Sequence, residues 1–221
     1  MIDFHTHSSM SDGSLNPEEL VSRAKSLGVE FLALTDHDTI DGLAMALQAA
    51  KENNIQLVTG IELSSEWSGV GIHIVGLGFD TSSPVLLDGI RQQKKARLER
   101  AKTIAERLEK KGFENVFEGA RAIAVEQAGN RVPTEDNLII GRPHFAKYLV
   151  KAGYVKSESA AFKTYLGAGK IGDIKSCWPE IATVIAWLKE SGGISVLAHP
   201  LHYKLTNTKL RRLVTDFKEV G

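Results

Sequence analysis

Apolar and polar positions in the first third of the chain change period repeatedly, and each change marks an element. Ile2 to Ser8 reads as a strand and Phe31 to Thr35 as a buried strand. Between them Asn16-Pro17-Glu18-Glu19 opens a helix. Asn16 caps it, Pro17 takes its first position, and Glu19 can close a capping box. Leu20, Val21, Ala24 and Leu27 form its apolar stripe, and Gly28 stops it. A second helix from Gly42 to Asn53 sets Leu43, Ala46, Leu47 and Ala50 on one face. Gln56 to Leu63 and Gly71 to Gly78 read as the third and fourth strands. Strand and helix in alternation imply parallel strands joined by right-handed crossovers.

The pattern shifts after about residue 82. Leu87 to Lys111 predicts one long charged helix, read as a solvated face with an apolar stripe. Further helices are expected near Glu135 to Ala152 and Glu158 to Leu166, with no strand between them. Residues 83–174 therefore read as a helical insertion. Residues 1–82 and 175–221 form the discontinuous remainder, and there the alternation resumes. A helix from Pro179 to Glu190 is stopped by Gly192-Gly193, and a strand from Ile194 to Ala198 follows. A last helix covers about Lys209 to Val220.

The 221 residues suffice for one large α/β domain or two small ones. Charge suggests no bulk electrostatic binder: 27 basic and 27 acidic residues leave no net charge for attraction to nucleic acid or membranes. A local basic patch stays open, with Arg91, Lys94, Lys95, Arg97 and Arg100 as its candidates. A single cysteine, Cys177, allows no internal disulfide and suits a reducing compartment. No stretch approaches the roughly 18 apolar residues of a membrane span, and Met1-Ile2-Asp3-Phe4 runs into the first strand without a basic segment followed by an apolar run. The expectation is a cytoplasmic protein with no membrane contact and no obligate protein partner.

Metal-binding side chains sit at the expected strand ends. His5 and His7 lie two apart on the first strand, so both point to one face. Asp12 follows in the next loop, and Asp36-His37-Asp38 closes the second strand. Glu62 closes the third, His73 lies on the fourth, and His199 ends a later one. Each has a plainer reading. The H-x-H can pack or face solvent, His37 can bond to backbone, and Ser11-Asp12-Gly13 can be a turn. Glu62 can be a solvated carboxylate, and His73 alone says little. Their joint placement at strand carboxyl ends favours a metal site. Mixed imidazole and carboxylate donors suit Mn²⁺, Zn²⁺ or Fe²⁺, and the absence of thiolates argues against a structural zinc site.

Phe4-His5-Thr6-His7-Ser8, Ser11-Asp12-Gly13, Thr35-Asp36-His37-Asp38, Gly60-Ile61-Glu62 and Ala198-His199-Pro200 together resemble the PHP (polymerase and histidinol phosphatase) family. Three further stretches bring the resemblance nearer its YciV/TrpH-like branch, the RNase AM type. They are Ile72-His73-Ile74-Val75-Gly76-Leu77, Ala105-Glu106-Arg107-Leu108-Glu109-Lys110 and Gly141-Arg142-Pro143-His144-Phe145-Ala146. The resemblance implies an α/β fold, a distorted, TIM-like β/α barrel of about seven strands, holding two to three divalent ions, Mn²⁺ first, with Zn²⁺, Fe²⁺ or Mg²⁺ as alternatives. By it, His5, His7 and Glu62 hold one ion. Glu62, His73 and His199 hold a second, and Asp12 and His37 a third. It also implies a phosphoesterase acting on a nucleotide or short RNA. Members of this branch remove the 3′-phosphate of nucleoside 3′,5′-bisphosphates such as pAp and trim short RNA from its 5′ end.

Arg142 and His144, by the same resemblance, would hold substrate phosphate, for which a guanidinium fork is suited. A surface Arg and a capping His are the alternatives. Lys170, in Gly167-Ala168-Gly169-Lys170, is a further phosphate candidate, although that run can be a turn and lacks P-loop spacing. His202 reads as a surface residue. The family pattern continues into a Gly-Ser-Asp-x-His motif that does not occur after His199. The expectation is a chain cut short before its last barrel strands. A naturally short product and closure by another chain are the alternatives. Two other functions compete: a phosphatase for a small metabolite such as histidinol phosphate, and a catalytically weak nucleotide-binding module.

Overall fold

The computed structural model describes residues 1–128, 138–174 and 177–221. They divide into two compact units, Met1–Gln93 with Trp178–Gly221, and Lys94–Cys177.

The first unit begins β1 (Ile2–Thr6), α1 (Pro17–Ser26), β2 (Phe31–Leu34), α2 (Leu43–Asn53), β3 (Gln56–Trp67) and β4 (Val70–Leu77). The expected capping box opens α1. Asn16 Oδ1 accepts from Glu19 N–H at 2.8 Å and Glu19 Oε2 accepts from Asn16 N–H at 3.1 Å. β1, β2 and β3 are parallel, as the alternation predicts. β4 is not. It pairs antiparallel with β3 from Gly60–Leu77 to Trp67–Val70. The reason is a two-residue turn, Ser68-Gly69, with φ of +48° and +75°. Such a turn joins strands only as a hairpin. The hairpin lengthens β3 to Trp67, so Glu62 lies mid-strand rather than at its end.

After the second unit, which holds helices α3 to α6, come α7 (Ile181–Glu190), β5 (Ile194–Leu197) and α8 (Asn207–Val220). β5 runs antiparallel to β4, giving a sheet ordered β1-β2-β3-β4-β5. Leu32, Leu34, Ile61, Leu63, Ile72 and Ile74 from the sheet are buried against Val184, Ile185 and Leu188 of α7 and Leu213 of α8. The Trp67 indole donates to Asp216 Oδ2 at 2.7 Å, tying α8 to the hairpin.

The second unit is helical. It takes α3 (Pro84–Glu109) from Lys94 onward, then α4 (Val116–Ala128), α5 (Arg142–Lys151) and α6 (Glu158–Ala161), which continues as a π-helical turn through Leu166. α4 was not delimited by the sequence pattern. Of the helix expected at Glu135–Ala152, residues 135–137 lie outside the described residues. Ile104, Leu108, Ala120, Phe145, Leu149 and Leu166 form the core of this unit. Arg97 and Arg100 on α3 are buried, 6% and 8% exposed. The expectation of a solvated charged face fails at these two positions. Among the described residues, no helix is long and apolar enough to cross a membrane.

Candidate metal centre

The first unit brings the seven predicted ligands together, with five imidazoles around Glu62 and Asp12 beside two of them. That carboxylate is 1% exposed. Its Oε2 lies 3.0 Å from Nε2 of His5, 3.0 Å from Nε2 of His7 and 3.4 Å from Nδ1 of His37. Its Oε1 lies 3.0 Å from Nδ1 of His73 and 3.0 Å from Nε2 of His199. Asp12 stands at the rim, 3.9 Å from His7 Nδ1 and 3.7 Å from His37 Nε2.

Local structure explains each placement. His5 and His7 share a face because they straddle one residue of an extended chain. His37 continues the β2–β3 pairing as an isolated parallel bridge to Glu62. That bridge fixes the Glu62 peptide: its N–H donates to Asp36 O at 3.2 Å and its carbonyl accepts from Asp38 N–H at 3.0 Å. Asp36 and Asp38 therefore flank the cluster, and their side chains hold neighbouring segments. Asp36 accepts from Ser8 N–H, Ser8 Oγ and Ser11 Oγ at 2.6–2.7 Å, which folds the loop carrying Asp12. Asp38, at φ +54°, accepts from Ser64 N–H at 2.7 Å and Ser64 Oγ at 2.8 Å. These serines were not singled out in the sequence. Tyr203 was not either: its hydroxyl lies between His73 N–H at 2.9 Å and the Ala198 carbonyl at 2.8 Å. His202 is exposed, as expected, and its ring also stacks on His199 with centroids 5.6 Å apart.

Burial alone would raise the Glu62 carboxyl. The charge of His37 and hydrogen bonds from His199, His5 and His7 overturn that and hold it well below the usual carboxylate range. Burial would likewise lower His7, but the hydrogen bond and charge of Glu62, helped by Asp12 and Asp36, raise it above its ordinary value. Burial pushes Asp36 up in spite of its three donors.

The donor set fits divalent cations. Two donors on one ion, each bound at about 2.1 Å, stand roughly 3.0–3.5 Å apart, close to the spacings around Glu62. Nδ1 of His7 and Nδ1 of His199 are buried without a hydrogen-bond partner, which folded proteins rarely tolerate. Among the described residues, His5–Glu62–His199 and His7–His37–Glu62 each bring three ligand atoms within 4.8 Å of one another. These two groups cut across the three ion sets that the family resemblance implies. Both contain Glu62, whose two oxygens can serve two ions.

The predicted phosphate contacts belong to the second unit. Arg142 Nη1 donates to Leu166 O at 3.0 Å and lies 3.8 Å from Asp173 Oδ1. Burial lowers its pKa, Asp173 opposes this, and Arg97 adds to it. Burial and the charges of Arg142 and Arg97 also lower Arg100, whose Nε donates to Ile174 O at 2.9 Å. His144 is 1% exposed, and its Nδ1 accepts from Gly141 N–H at 2.9 Å, capping α5. Lys170 is exposed, in a turn closed by its own N–H to Gly167 O at 3.0 Å.

Comparison with known proteins agrees with this geometry. The PHP domain profile matches residues 3–192. A 5′-3′ exoribonuclease of Haemophilus influenzae is 45% identical over 219 residues, covering 99% of this chain and 76% of the relative. A 3′,5′-nucleoside bisphosphate phosphatase of Chromobacterium violaceum is 38% identical over 220 residues, covering 100% of this chain and 74% of the relative. The solved structure of an amidohydrolase from Chromobacterium violaceum, with bound sulfate and no metal, superposes with a TM-score of 0.89 at 38% identity. It covers 100% of this chain and 74% of that one. The expected distorted β/α barrel agrees with that match, and the sheet described here is its curled, mixed part, with β4 and β5 antiparallel.

Proposed function

The chain belongs to the PHP domain family, and from that premise we propose that it is a metal-dependent phosphoesterase acting on nucleotides. Its substrates on this reading are a nucleoside 3′,5′-bisphosphate such as pAp, losing the 3′-phosphate, and short RNA degraded from the 5′ end. The observation that carries the reading is the convergence of five imidazoles on one buried carboxylate, with Asp12 beside two of them.

Two to three divalent ions, Mn²⁺ first, would lower the pKa of a bound water and take up charge developing on phosphoryl oxygens. The residues' part is to hold and orient. His5, His7 and His37 would present ring nitrogens beside one oxygen of Glu62 and His73 and His199 beside the other, so that Glu62 could serve two ions. Asp12 and His37 would hold a further ion at the rim. The Asp36 and Asp38 hydrogen bonds keep these groups in place before substrate arrives, which is where most of the rate advantage of such sites originates. Arg142, His144 and Lys170 are proposed phosphate contacts. The fixed guanidinium of Arg142 supports the first. His144 has only Nε2 left to offer, because Nδ1 caps α5.

Initial rates with Mn²⁺ on pAp, a 5′-phosphorylated oligoribonucleotide and histidinol phosphate test the substrate class. Turnover of either nucleotide substrate far above histidinol phosphate supports the reading. A preference for histidinol phosphate overturns it.

A further inference from the structure

The last rung of the β4–β5 ladder is not made by two peptides alone. Ile74 stands opposite Leu197 and Val75 opposite Val196, so the register sets His73 opposite Ala198. A direct antiparallel rung there would exchange two N–H···O bonds. One is present: Ala198 N–H donates to His73 O at 3.1 Å. The other is interrupted. His73 N–H donates to the Tyr203 hydroxyl at 2.9 Å, and that hydroxyl donates to Ala198 O at 2.8 Å. Tyr203 is thus inserted between one cluster histidine and the residue preceding another.

The chain has a reason to need a spacer at this point. His199 leaves the strand with φ +29°, a conformation that a residue with a Cβ holds only when its surroundings enforce it. The turn Pro200–Tyr203 follows, closed by His202 N–H to His199 O at 2.9 Å. It returns Tyr203 over the strand end, with its ring 5.3 Å from the His199 ring. With the hydroxyl in place, Ala198 O is held away from His73 N–H. In that arrangement His73 Nδ1 and His199 Nε2 each stand 3.0 Å from the same oxygen of Glu62. Phenylalanine would keep the ring but not the bridge. The ladder would then close up or take in water, and His199 would turn relative to His73.

We propose that Tyr203 is a positioning residue whose hydroxyl sets the spacing of His73 and His199, and so tunes the affinity of the ion held at the Glu62 oxygen that both approach. This rests on the reading of the cluster as a metal centre.

The test is a titration of metal-free wild type and Tyr203→Phe with Mn²⁺ against a competing chelator, counting ions and their affinities. The expected result is one ion bound about 10- to 100-fold more weakly in the variant, with the others unchanged. Unchanged binding of every ion in Tyr203→Phe overturns the proposal alone. So does equal weakening of all of them, which marks a general structural role. Wild-type protein that binds no ion removes the metal reading and this proposal together.

Discussion

Glu62 Oε1 lies 3.0 Å from His73 Nδ1 although the two residues are not opposite one another in the sheet. Glu62 faces Val75 and His73 faces Ser64, so the pair is diagonal across an antiparallel ladder, within reach only of long side chains. A carboxylate placed so can meet β1, the end of β2, β4 and the end of β5 at once. Glu62→Gln keeps the shape and removes the charge. Bound Mn²⁺ should fall in elemental analysis, and phosphate release should drop by about 1,000-fold or more, since metal stabilisation is worth several kcal/mol. Wild-type metal content in Glu62→Gln would contradict the bridging role.

Gly13 governs the loop that carries Asp12. A Cβ there would lie 2.2 Å from His7 O and 2.9 Å from Ser8 C. Backbone cannot yield to that contact without moving Asp12, His7 or both. Gly13→Ala should therefore lower activity about 100-fold, the usual cost of misplacing a reacting group by about 1 Å. Circular dichroism should stay near wild type. Wild-type kinetics in Gly13→Ala would show that the loop is not held as described.

Much of this centre was legible in the sequence because strand ends and two-residue spacing are local features. His5 and His7 share a face by period alone, and the capping box at Asn16 and Glu19 is a short-range pattern. What escaped depends on contacts distant in sequence. The strand-helix alternation covers only the first three strands and leaves the direction of β4 open, although Ser68-Gly69 between two apolar runs is a hairpin signal. The roles of Asp36 and Asp38 were hidden because a carboxylate beside a ligand histidine looks like another ligand. Only the fold shows that Ser8, Ser11 and Ser64 occupy them. Nothing in the spacing of Tyr203 points to His73, 130 residues earlier. Likewise, nothing local says that Arg97 and Arg100 turn inward.

Acid sensitivity should arise in the second unit from His144. Burial, with the charges of Lys147 and Arg97, pushes its pKa from 6.5 to about 4. The unfolded chain then binds a proton between pH 6.5 and 4 that the folded state refuses, so stability falls with pH across that window and levels off below it. The full loss is about 3 kcal/mol, at 1.36 kcal/mol per pKa unit. Urea midpoints at pH 7 and pH 4.5 should separate accordingly. His144→Gln retains an acceptor for Gly141 N–H and should flatten the difference. An equal slope in the variant would locate the acid response elsewhere.

Asp216 is the acceptor that makes burial of the Trp67 indole N–H tolerable. Asp216→Ala leaves that donor unsatisfied and should cost about 2 kcal/mol, seen as a lower melting temperature. Trp67→Phe in the same background should recover part of the loss, because it removes the stranded group. No recovery would mean that Asp216 acts through other contacts.

The central claim is that the Glu62 cluster hydrolyses a nucleotide phosphate with divalent ions bound. Phosphate release from pAp in Mn²⁺ tests it most directly, measured beside a chelated sample and a folded His37→Ala variant. The account predicts turnover that disappears on chelation and falls at least 100-fold in His37→Ala, in line with the several kcal/mol that metal stabilisation supplies. Turnover that survives chelation, or proceeds at the wild-type rate without His37, would contradict it.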